Sequence, residues 1–592
     1  MHLRLLTLVV AAAVMPAAAG AQDHTIAYTH FGPLNSDIFI ADREGAGAVP
    51  FLPHPGLDYN PSFSPDGRWI LFTSERGGSA DIYRAHLDGS GLERLTDAPA
   101  FDDQAELSPD GTTLAFVSSR SGNADIWLLD LRTRQLRNVT SHPAGDFRPA
   151  WSPDGRRLAF SSDRDSTHPR LQFGVGHSTE VYVVELDGGR VRRLTHANGA
   201  SGTPSWSPDG RRIVCYTAPQ QEIGLLAARV ASAGSTRIVE VDVETGESHV
   251  IADGPGAKLF PRYFGAAGVA YLDRRGDGML RLPGKAVGAT GPFHAPSWSP
   301  DGTRVVFSRD VSTAWPPFQP AFSRDAGFRL IRAGMFPQFT PDGARVTMAD
   351  TPLAAAKNSV LIMSADGASR SVLFSDPARS VLAPVWSPDG SSLAFGLGRF
   401  FPMVQGFGAA DLAVLDIKSG ALRVLTDGKE NVGFPSWSPD GRRIVYREWN
   451  DTNSSLRIID VQSRAVTTLL RDFGRVNFPG WSPDGHRVQF TSDRDGNYEL
   501  YTIELESKRI ARLTDSPGND AHGTWSPDGR WIAFSSVRGG FKDEAALNPG
   551  NPQASGDLYV MRADGTDVRA LTDNQFEEAT AGWAPVRRPG AR

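Results

Sequence analysis

The sequence has almost no cysteine and no long apolar run after its first 21 residues. Cys215 is the only cysteine among 592 residues, which excludes a disulfide scaffold and a cysteine-rich zinc site. A membrane-spanning helix needs about 20 apolar residues, so we expect no membrane span. With 61 Lys+Arg against 67 Asp+Glu, the formal net charge is -6, and this balance predicts no nucleic-acid partner.

Several common catalytic motifs are also missing. The chain has no Gly-x-Ser-x-Gly nucleophile elbow, no His-Glu-x-x-His, no phosphate-binding P-loop and no Gly-x-Gly-x-x-Gly. The sequence therefore favours a protein without catalytic activity, and it predicts neither a cofactor nor a metal site. The functional hypotheses include both a non-catalytic protein and an enzyme.

The N-terminus is typical of a secretory signal peptide. Arg4 precedes an apolar stretch, Leu5 to Val14, and Ala19-Gly20-Ala21 matches the small-x-small cleavage signature. We expect residues 1–21 to be removed after Ala21. The mature protein is then periplasmic or secreted.

One tetrapeptide recurs along the rest of the chain. Ser-Pro-Asp-Gly appears nine times, and Thr340-Pro341-Asp342-Gly343 is a tenth copy; the aspartates are at positions 66, 110, 154, 209, 301, 342, 389, 440, 484 and 528. Consecutive copies are 41 to 55 residues apart, except for one gap of 92 that equals two periods. A period of 40–50 residues with β-type segments indicates the blades of a β-propeller.

Each repeat is predicted to contain four strands, A to D. Strand A carries Pro-x-Trp, as in Pro149-Ala150-Trp151, and the Pro-Asp-Gly after it predicts a tight turn. Strand B is apolar, as in Leu114-Ala115-Phe116. Strand C resembles Asp81-Ile82-Tyr83, and strand D ends in Arg94-Leu95-Thr96. No segment of the mature chain has the pattern of a long amphipathic helix, so the fold class is all-β.

These motifs together resemble the WD-like propeller repeat of the TolB family. Related repeats occur in the propellers of tricorn-type and prolyl-oligopeptidase-type proteases. The resemblance covers residues 25–585 and implies a propeller with six-bladed rings. It implies little about activity, since propellers of one architecture host many functions.

Twelve candidates for strand A predict twelve four-stranded blades in tandem propellers, most simply two six-bladed rings. In that arrangement residues 22–300 form the first propeller and residues 301–592 the second. Strand A near 298 closes the first ring onto residues 26–51, and strand A near 583 closes the second onto residues 303–333. A split of five and seven blades with a seam near 264, and a crossed arrangement in which the last strand returns to the first ring, are the alternatives.

The long loops predict a binding face. Strand direction alternates within a blade, so the B–C and D–A loops share one face, and five long B–C loops fall on it: 163–179, 217–235, 308–326, 397–410 and 537–556. Candidate binding residues on this face are aromatic, acidic or histidine side chains: Trp315, Phe318, Phe322, Phe400, Phe401, Phe407, Asp58, Asp103, Asp146, His142, His168, His177 and His294. The aromatic side chains suit contact with a sugar or peptide; the alternative is that they pack on their own ring or between the two rings.

The leading functional hypothesis is an exported, non-catalytic binding or scaffold protein. Its ligand would be a protein, a peptide or an envelope polysaccharide at the B–C and D–A loop face. One alternative is an enzyme on the propeller face, such as a polysaccharide lyase or glycosidase. The other, implied only by the family resemblance, is an accessory propeller for a separate peptidase.

Overall fold

The computed structural model describes most of the chain beyond the predicted signal peptide. The described residues are 24–33, 35–166, 178–219, 235–265, 268–275, 278–284, 288–311, 319–349, 359–367, 369–399, 408–450, 453–544 and 556–585. Every secondary-structure element in these residues is a β-strand, which confirms the all-β class. The predicted signal peptide, residues 1–21, lies outside them.

The strands of the first half of the chain are short and closely spaced. They are β1 (His24–His30), β2 (Ser36–Asp42), β3 (Val49–Phe51), β4 (Asp58–Phe63), β5 (Trp69–Ser74), β6 (Asp81–His86), β7 (Glu93–Arg94), β8 (Asp102–Leu107), β9 (Thr113–Ser118), β10 (Asp125–Asp130), β11 (Leu136–Asn138), β12 (Asp146–Trp151), β13 (Arg157–Ser162), β14 (Glu180–Glu185), β15 (Val191–Arg193), β16 (Gly199–Trp206), β17 (Arg212–Pro219), β18 (Arg237–Asp242), β19 (Ser248–Ala252), β20 (Ala257–Tyr263), β21 (Val269–Arg274), β22 (Met279–Arg281), β23 (His294–Trp298) and β24 (Arg304–Asp310).

The second half continues in the same manner. Its strands are β25 (Gln319–Ala321), β26 (Phe328–Ala333), β27 (Met335–Phe339), β28 (Arg345–Ala349), β29 (Val360–Ser364), β30 (Arg370–Phe374), β31 (Ser380–Trp386), β32 (Ser392–Gly398), β33 (Ala410–Asp416), β34 (Leu422–Val424), β35 (Asn431–Trp437), β36 (Arg443–Asn450), β37 (Asn453–Asp460), β38 (Val466–Leu470), β39 (Val476–Trp481), β40 (Arg487–Ser492), β41 (Glu499–Glu504), β42 (Ile510–Arg512), β43 (Asp520–Trp525), β44 (Trp531–Ser536), β45 (Asp557–Arg562), β46 (Arg569–Ala570) and β47 (Glu578–Trp583).

Most sheets are antiparallel meanders of four consecutive strands, such as β4-β5-β6-β7 and β8-β9-β10-β11. The tight turn between the first two strands follows directly from the repeated tetrapeptide. In the first copy the Ser64 hydroxyl donates to Asp66 at 2.6 Å, the backbone N–H of Trp69 donates to Ser64 Oγ at 2.9 Å, and Gly67 has φ +69°. Positive φ favours glycine, which explains the last residue of the motif.

Contacts between the innermost strands join the sheets into two closed series among the described residues. We call the series of sheets whose innermost strands are β4, β8, β12, β16, β20 and β23 ring 1. Ring 2 is the series with β27, β31, β35, β39, β43 and β47 innermost.

The tryptophan of Pro-x-Trp joins neighbouring sheets within each ring. The indole N–H of Trp206 donates to Ala150 O at 3.0 Å, and that of Trp583 donates to Thr524 O at 3.1 Å. Apolar cores then form between successive sheets, where Phe116 and Phe160 are fully buried.

The two ends of the chain exchange strands between the rings. Strand β1 pairs in parallel with β26 and antiparallel with β47, so it belongs to ring 2. Strands β2 and β3 complete the sheet of β23 and β24 in ring 1. This pairing differs from the expected closures onto residues 26–51 and 303–333, because β1 and β24 have changed places. The two sheets that result each contain four strands, and the innermost strands β23 and β47 are both paired.

An engineered disulfide tests this exchange. The hydroxyls of Thr29 and Thr580 lie 2.7 Å apart, so we expect Thr29→Cys with Thr580→Cys to cross-link under mild oxidation. Peptide mapping by mass spectrometry would detect the linked peptides. The control pair, Thr29→Cys with Ala295→Cys, tests the expected closure, in which the strand near 298 pairs with residues 26–51. This pair is expected to stay reduced. A cross-link in the control alone would contradict the exchange.

Candidate binding sites at the centres of the two rings

Eleven of the innermost strands share one backbone feature, a non-glycine residue with positive φ beside a β-bulge. These residues are Asn60, Gln104, Arg148, Thr203, Phe260 and Ala295 in ring 1, and Phe336, Ala383, Phe434, Phe478 and His522 in ring 2. Their side chains converge on the ring axis. Arg148 Nη1 donates to Asn60 Oδ1 at 3.1 Å, and the Arg148 guanidinium lies 5.3 Å from the Phe260 ring centroid. Because these three residues come from sheets that are not neighbours, the contacts cross the centre of ring 1.

The centre of ring 1 contains a segment of ring 2. We call residues 541–544, at the beginning of the predicted 537–556 loop, the insert. Asp543 forms an ion pair with Arg148, with Nε donating to Oδ1 at 2.9 Å, and Gln104 Nε2 donates to the Lys542 carbonyl at 3.1 Å. Phe541 packs in the apolar cluster of Tyr59 and its neighbours. The insert is therefore held by both charged and apolar contacts.

Glu544 is the most deeply enclosed residue of the insert. Its Oε1 accepts from the Ser161 hydroxyl and from the backbone N–H of Thr203, the latter at 2.8 Å. A β-carbon on Gly202 would lie 2.3 Å from the Glu544 carboxylate, so only glycine leaves room for it. Burial raises the pKa of Glu544 to about 7.

Asp103 is the second enclosed carboxylate at this centre. It accepts from Asn60 Nδ2 at 2.8 Å and from the Thr73 hydroxyl. Burial raises the pKa of Asp103 to about 6, despite the opposing effect of Arg148. The centre of ring 1 thus holds a mixed cluster of carboxylates and one guanidinium, in which Asp543 pairs with Arg148 within the chain.

Further contacts cover part of the loop face of ring 1 with residues of ring 2. Asp573 accepts from the Ser119 hydroxyl at 2.6 Å, and the Phe576 ring lies 5.8 Å from that of Tyr59. Arg332 forms a buried ion pair with Glu75. The face on which the sequence predicts ligand binding therefore serves, in ring 1, partly as the contact between the rings.

The centre of ring 2 is aromatic. The ring centroids of Phe336 and Phe434 are 5.9 Å apart, those of Phe434 and Phe478 are 4.5 Å apart, and those of Phe478 and His522 are 4.1 Å apart. All four side chains are half-buried, and so is Ala383 at the same strand position. Burial lowers the pKa of His522 to about 4, so this imidazole is neutral at pH 7. One cation, Arg447, lies beside the cluster with its guanidinium 5.0 Å from the Phe434 centroid.

Seven of the predicted site residues lie outside the described residues. They are Trp315, Phe318, Phe400, Phe401, Phe407, His168 and His177. Phe322 is described, and 43% of its surface is exposed. Its ring lies against Gly78 of ring 1, within 2.8 Å of the place a β-carbon would take. This contact supports packing between the rings for Phe322.

The predicted acidic and histidine candidates are dispersed over several sheets. Asp58 is buried with Arg76 at 2.7 Å, and Asp146 is buried with Arg164 at 2.9 Å, so each carboxylate has a partner in its own sheet. His142 accepts through Nδ1 from the backbone N–H of Ala144 at 3.0 Å.

His294 lies on β23, where burial and then Arg274 lower its pKa to about 3. Of the predicted acidic and histidine candidates, the structure brings Asp103 to the centre of ring 1.

Sequence reasoning missed the residues that make the two centres distinct, namely Arg148, the insert and Arg447. A signal for the first was present, since Arg148 immediately precedes the proline of Pro149-Ala150-Trp151. In other repeats, the residue immediately before the corresponding proline also faces a ring axis. The insert lies in the long loop 537–556 that the sequence singles out, but the length of this loop does not reveal that it enters ring 1. Arg447 lies in an ordinary apolar strand segment, and no motif of the repeat marks its position.

Within the described ranges, no group of three or more His, Cys, Asp or Glu side chains is placed to hold a metal ion. No helix in that part of the chain is long and apolar enough to cross a bilayer.

The closed series of four-stranded sheets defines a protein of the β-propeller class. The family model described as the TolB beta propeller domain matches residues 96–254 and 403–543, which together make up half of the chain. The chain therefore belongs to the TolB beta propeller domain family.

Curated relatives match shorter parts of the chain. An uncharacterized peptidase, YuxL of Bacillus subtilis, is 33% identical over 112 residues, which is 18% of this chain and 16% of the relative. The uncharacterized protein Atu1656 of Agrobacterium fabrum is 34% identical over 139 residues, or 22% of this chain and 47% of that protein. The chain thus spans less than half the length of either relative.

A solved structure, that of a putative TolB from Agrobacterium tumefaciens, is 24% identical and has a TM-score of 0.37. It aligns over 48% of this chain and 100% of its own.

The raised pKa of Glu544 predicts a pH dependence of stability. A carboxyl whose pKa is about 7 in the folded state and 4.5 in the unfolded state binds more protons when folded. Its contribution to stability is therefore full below pH 4.5 and falls as the pH rises to 7. We expect Glu544→Gln to be more stable than the wild type at pH 8 by on the order of 2 kcal/mol, and similar to it at pH 4.5.

Urea unfolding at pH 4.5, 6, 7 and 8 measures this difference. Glu185→Gln, at the exposed end of β14, is the control and should follow the wild-type profile. Equal profiles for Glu544→Gln and the wild type would show that folding does not raise the pKa of Glu544 above its value in the unfolded state.

Proposed function

We propose that this protein is an exported binding or scaffold protein that holds its ligand at the loop face of ring 2. The observation that carries the proposal is the half-buried aromatic cluster of Phe336, Phe434 and Phe478 at the centre of that ring. Aromatic side chains that remain partly exposed in a well-packed setting are typical anchors for a bound partner. Membership of a propeller family supports a binding role in general and leaves the ligand to be found.

The proposal divides the chain into two propellers, residues 22–300 and 301–592, apart from the exchange of β1 and β24. Ring 1 would have a structural role, because its centre is filled by the insert and its loop face contacts ring 2. Ring 2 would present the ligand site, together with whichever of the predicted aromatic residues of the 397–410 loop reach it. The ligand would be a protein, a peptide or an envelope polymer, met in the periplasm or outside the cell.

An enzyme acting on polysaccharide is the second candidate. The observation in its favour is that Asp103 and Glu544 have pKa values raised by burial to about 6 and about 7, which suits general acid or base catalysis. Against it, both carboxyls are buried and accept hydrogen bonds from side chains of ring 1. The same site would have to open before a polymer could enter.

Substitution of the aromatic anchors tests the proposed function. We expect Phe434→Ala with Phe478→Ala to lower ligand affinity by about 30-fold or more, as loss of two central anchors does in other interfaces. The full mature chain would be immobilised, ligands captured from an envelope extract, and the affinity of each purified ligand measured by calorimetry. Val372→Ala with Val466→Ala is the control, since both valines are exposed on the outer strands β30 and β38. Unchanged affinity in the double phenylalanine variant would rule out ring 2 as the binding site.

A further inference from the structure

Arg447 is a buried cation without an acidic partner. It lies on β36, and only 6% of its surface is exposed. Its Nη2 donates to Asn431 Oδ1 at 2.5 Å, whereas no described residue accepts a hydrogen bond from its Nε. Among the described residues, no carboxylate lies within ion-pair distance of the guanidinium.

Half-buried arginines that border the loop face have acidic partners. Arg76, Arg120 and Arg164 each form an ion pair of 2.7–2.9 Å with an aspartate at the start of the innermost strand of the same sheet. In ring 1, Arg148 is paired with Asp543 of the insert. Among the described residues, Arg447 therefore lacks the carboxylate partner that these four arginines have.

The strand position of Arg447 is also unusual. Arg447 lies opposite Gly433, and Gly433 is the residue immediately before Phe434, which has a positive φ. At the corresponding register the other second strands carry uncharged side chains, from Thr73, Val117 and Ser161 to the bulky Tyr216 opposite Gly202. An uncharged residue at this place is enough to build the sheet, so packing alone gives no reason for a charged one.

An unpaired buried charge destabilises a folded protein by several kcal/mol. Burial accordingly lowers the pKa of Arg447 to about 10. The guanidinium stays charged at pH 7, and its neighbours Phe434 and Trp449 offer it only the faces of their rings, 5.0 and 5.2 Å from the centroids. An anion that reached the free Nε would supply the missing partner.

We propose that Arg447 binds the carboxylate of a ligand whose apolar part packs on Phe434 and Phe478. This inference rests on the proposed function and names the ligand chemistry of the same site. The choice of an apolar acid over an acidic sugar comes from the surrounding residues. Phe336, Ala383, Phe434 and Phe478 have no side-chain polar atoms to satisfy the hydroxyls of a sugar, and the Nδ1 of the neighbouring His522 is already hydrogen-bonded to Ser535 Oγ at 2.8 Å. The four apolar side chains match an aliphatic or aromatic side chain next to a carboxylate. The terminal residue of a peptide ending in such a side chain has this chemistry.

Matched small probes test the proposal on the full mature chain. Calorimetric titration would compare N-acetyl-phenylalanine with its C-terminal amide, which differs only in the charge of the carboxyl group. We expect the acid to bind at least about 10-fold more tightly than the amide. Arg447→Gln should abolish that preference, whereas Arg443→Gln, exposed on the same strand with its guanidinium over Trp481, should keep it. Equal binding of acid and amide, no binding of either, or tighter binding of glucuronate or inorganic phosphate would overturn the proposal.

A stability measurement separates a binding role of Arg447 from a structural one. Without ligand, Arg447→Gln should unfold at the same temperature as the wild type or higher, because it removes an uncompensated charge. A clear fall in unfolding temperature would show that the arginine stabilises the fold and would overturn the proposal. The two proposals fail separately: if Phe434→Ala with Phe478→Ala abolishes binding of captured ligands while acid and amide probes bind alike, the binding site stands and the carboxylate assignment falls.

Discussion

The position of β1 between β26 and β47 is the constraint on which both rings depend. Its two neighbours come from the middle and the end of the chain, so ring 2 can close only when these distant segments meet. The next strand, β2, already belongs to ring 1. The short connection between His30 and Ser36 therefore ties the two closures together, and the contacts that follow depend on it. Arg332 of β26 can reach Glu75, and Phe576 can pack on Tyr59, because β1 holds its sheet beside ring 1.

A second constraint acts inside each ring. The bulge in the innermost strand forces one residue into positive φ, a conformation that destabilises a non-glycine residue by about 1 kcal/mol or more. Since the feature recurs in sheet after sheet of both rings, it belongs to the architecture and is not by itself a mark of function. What differs is the side chain placed there. Asn60, Gln104 and Arg148 make the centre of ring 1 polar, whereas Phe434 and Phe478 make that of ring 2 aromatic.

The local structure was predictable because it repeats. Ser64-Pro65-Asp66-Gly67 forms the expected turn, Leu114-Ala115-Phe116 lies within the buried strand β9, and Pro149-Ala150-Trp151 ends the innermost strand β12. In each case the short-range chemistry of the residues, namely a hydroxyl, a glycine or an apolar run, is sufficient to fix the outcome. The family resemblance rests on these same residues.

Long-range partners could not be predicted in this way. Which segment lies beside β1 depends on comparing the energies of whole closures, and the repeat makes the competing closures locally equivalent. The candidate aspartates show the same limit. Asp58 and Asp146 satisfy the pattern of loop-face acids, yet each is paired with an arginine that every such repeat supplies. Only a residue that differs from the repeat pattern carries specific information about a site, and Arg447 is such a residue.

The surroundings of the arginine guanidinium differ between the two ring centres. In ring 1 the chain itself brings an acid to the arginine, because the insert places Asp543 against Arg148 and Glu544 against the backbone N–H of Thr203. In ring 2 the arginine has aromatic faces and one amide oxygen around it, and no residue that the structure describes provides an acceptor for its Nε. A buried charge is stable only with a partner. Ring 1, in which the chain itself supplies an acid to the arginine, is suited to holding the molecule together. Ring 2, in which the described residues supply no acid to the arginine, is suited to receiving one from a ligand.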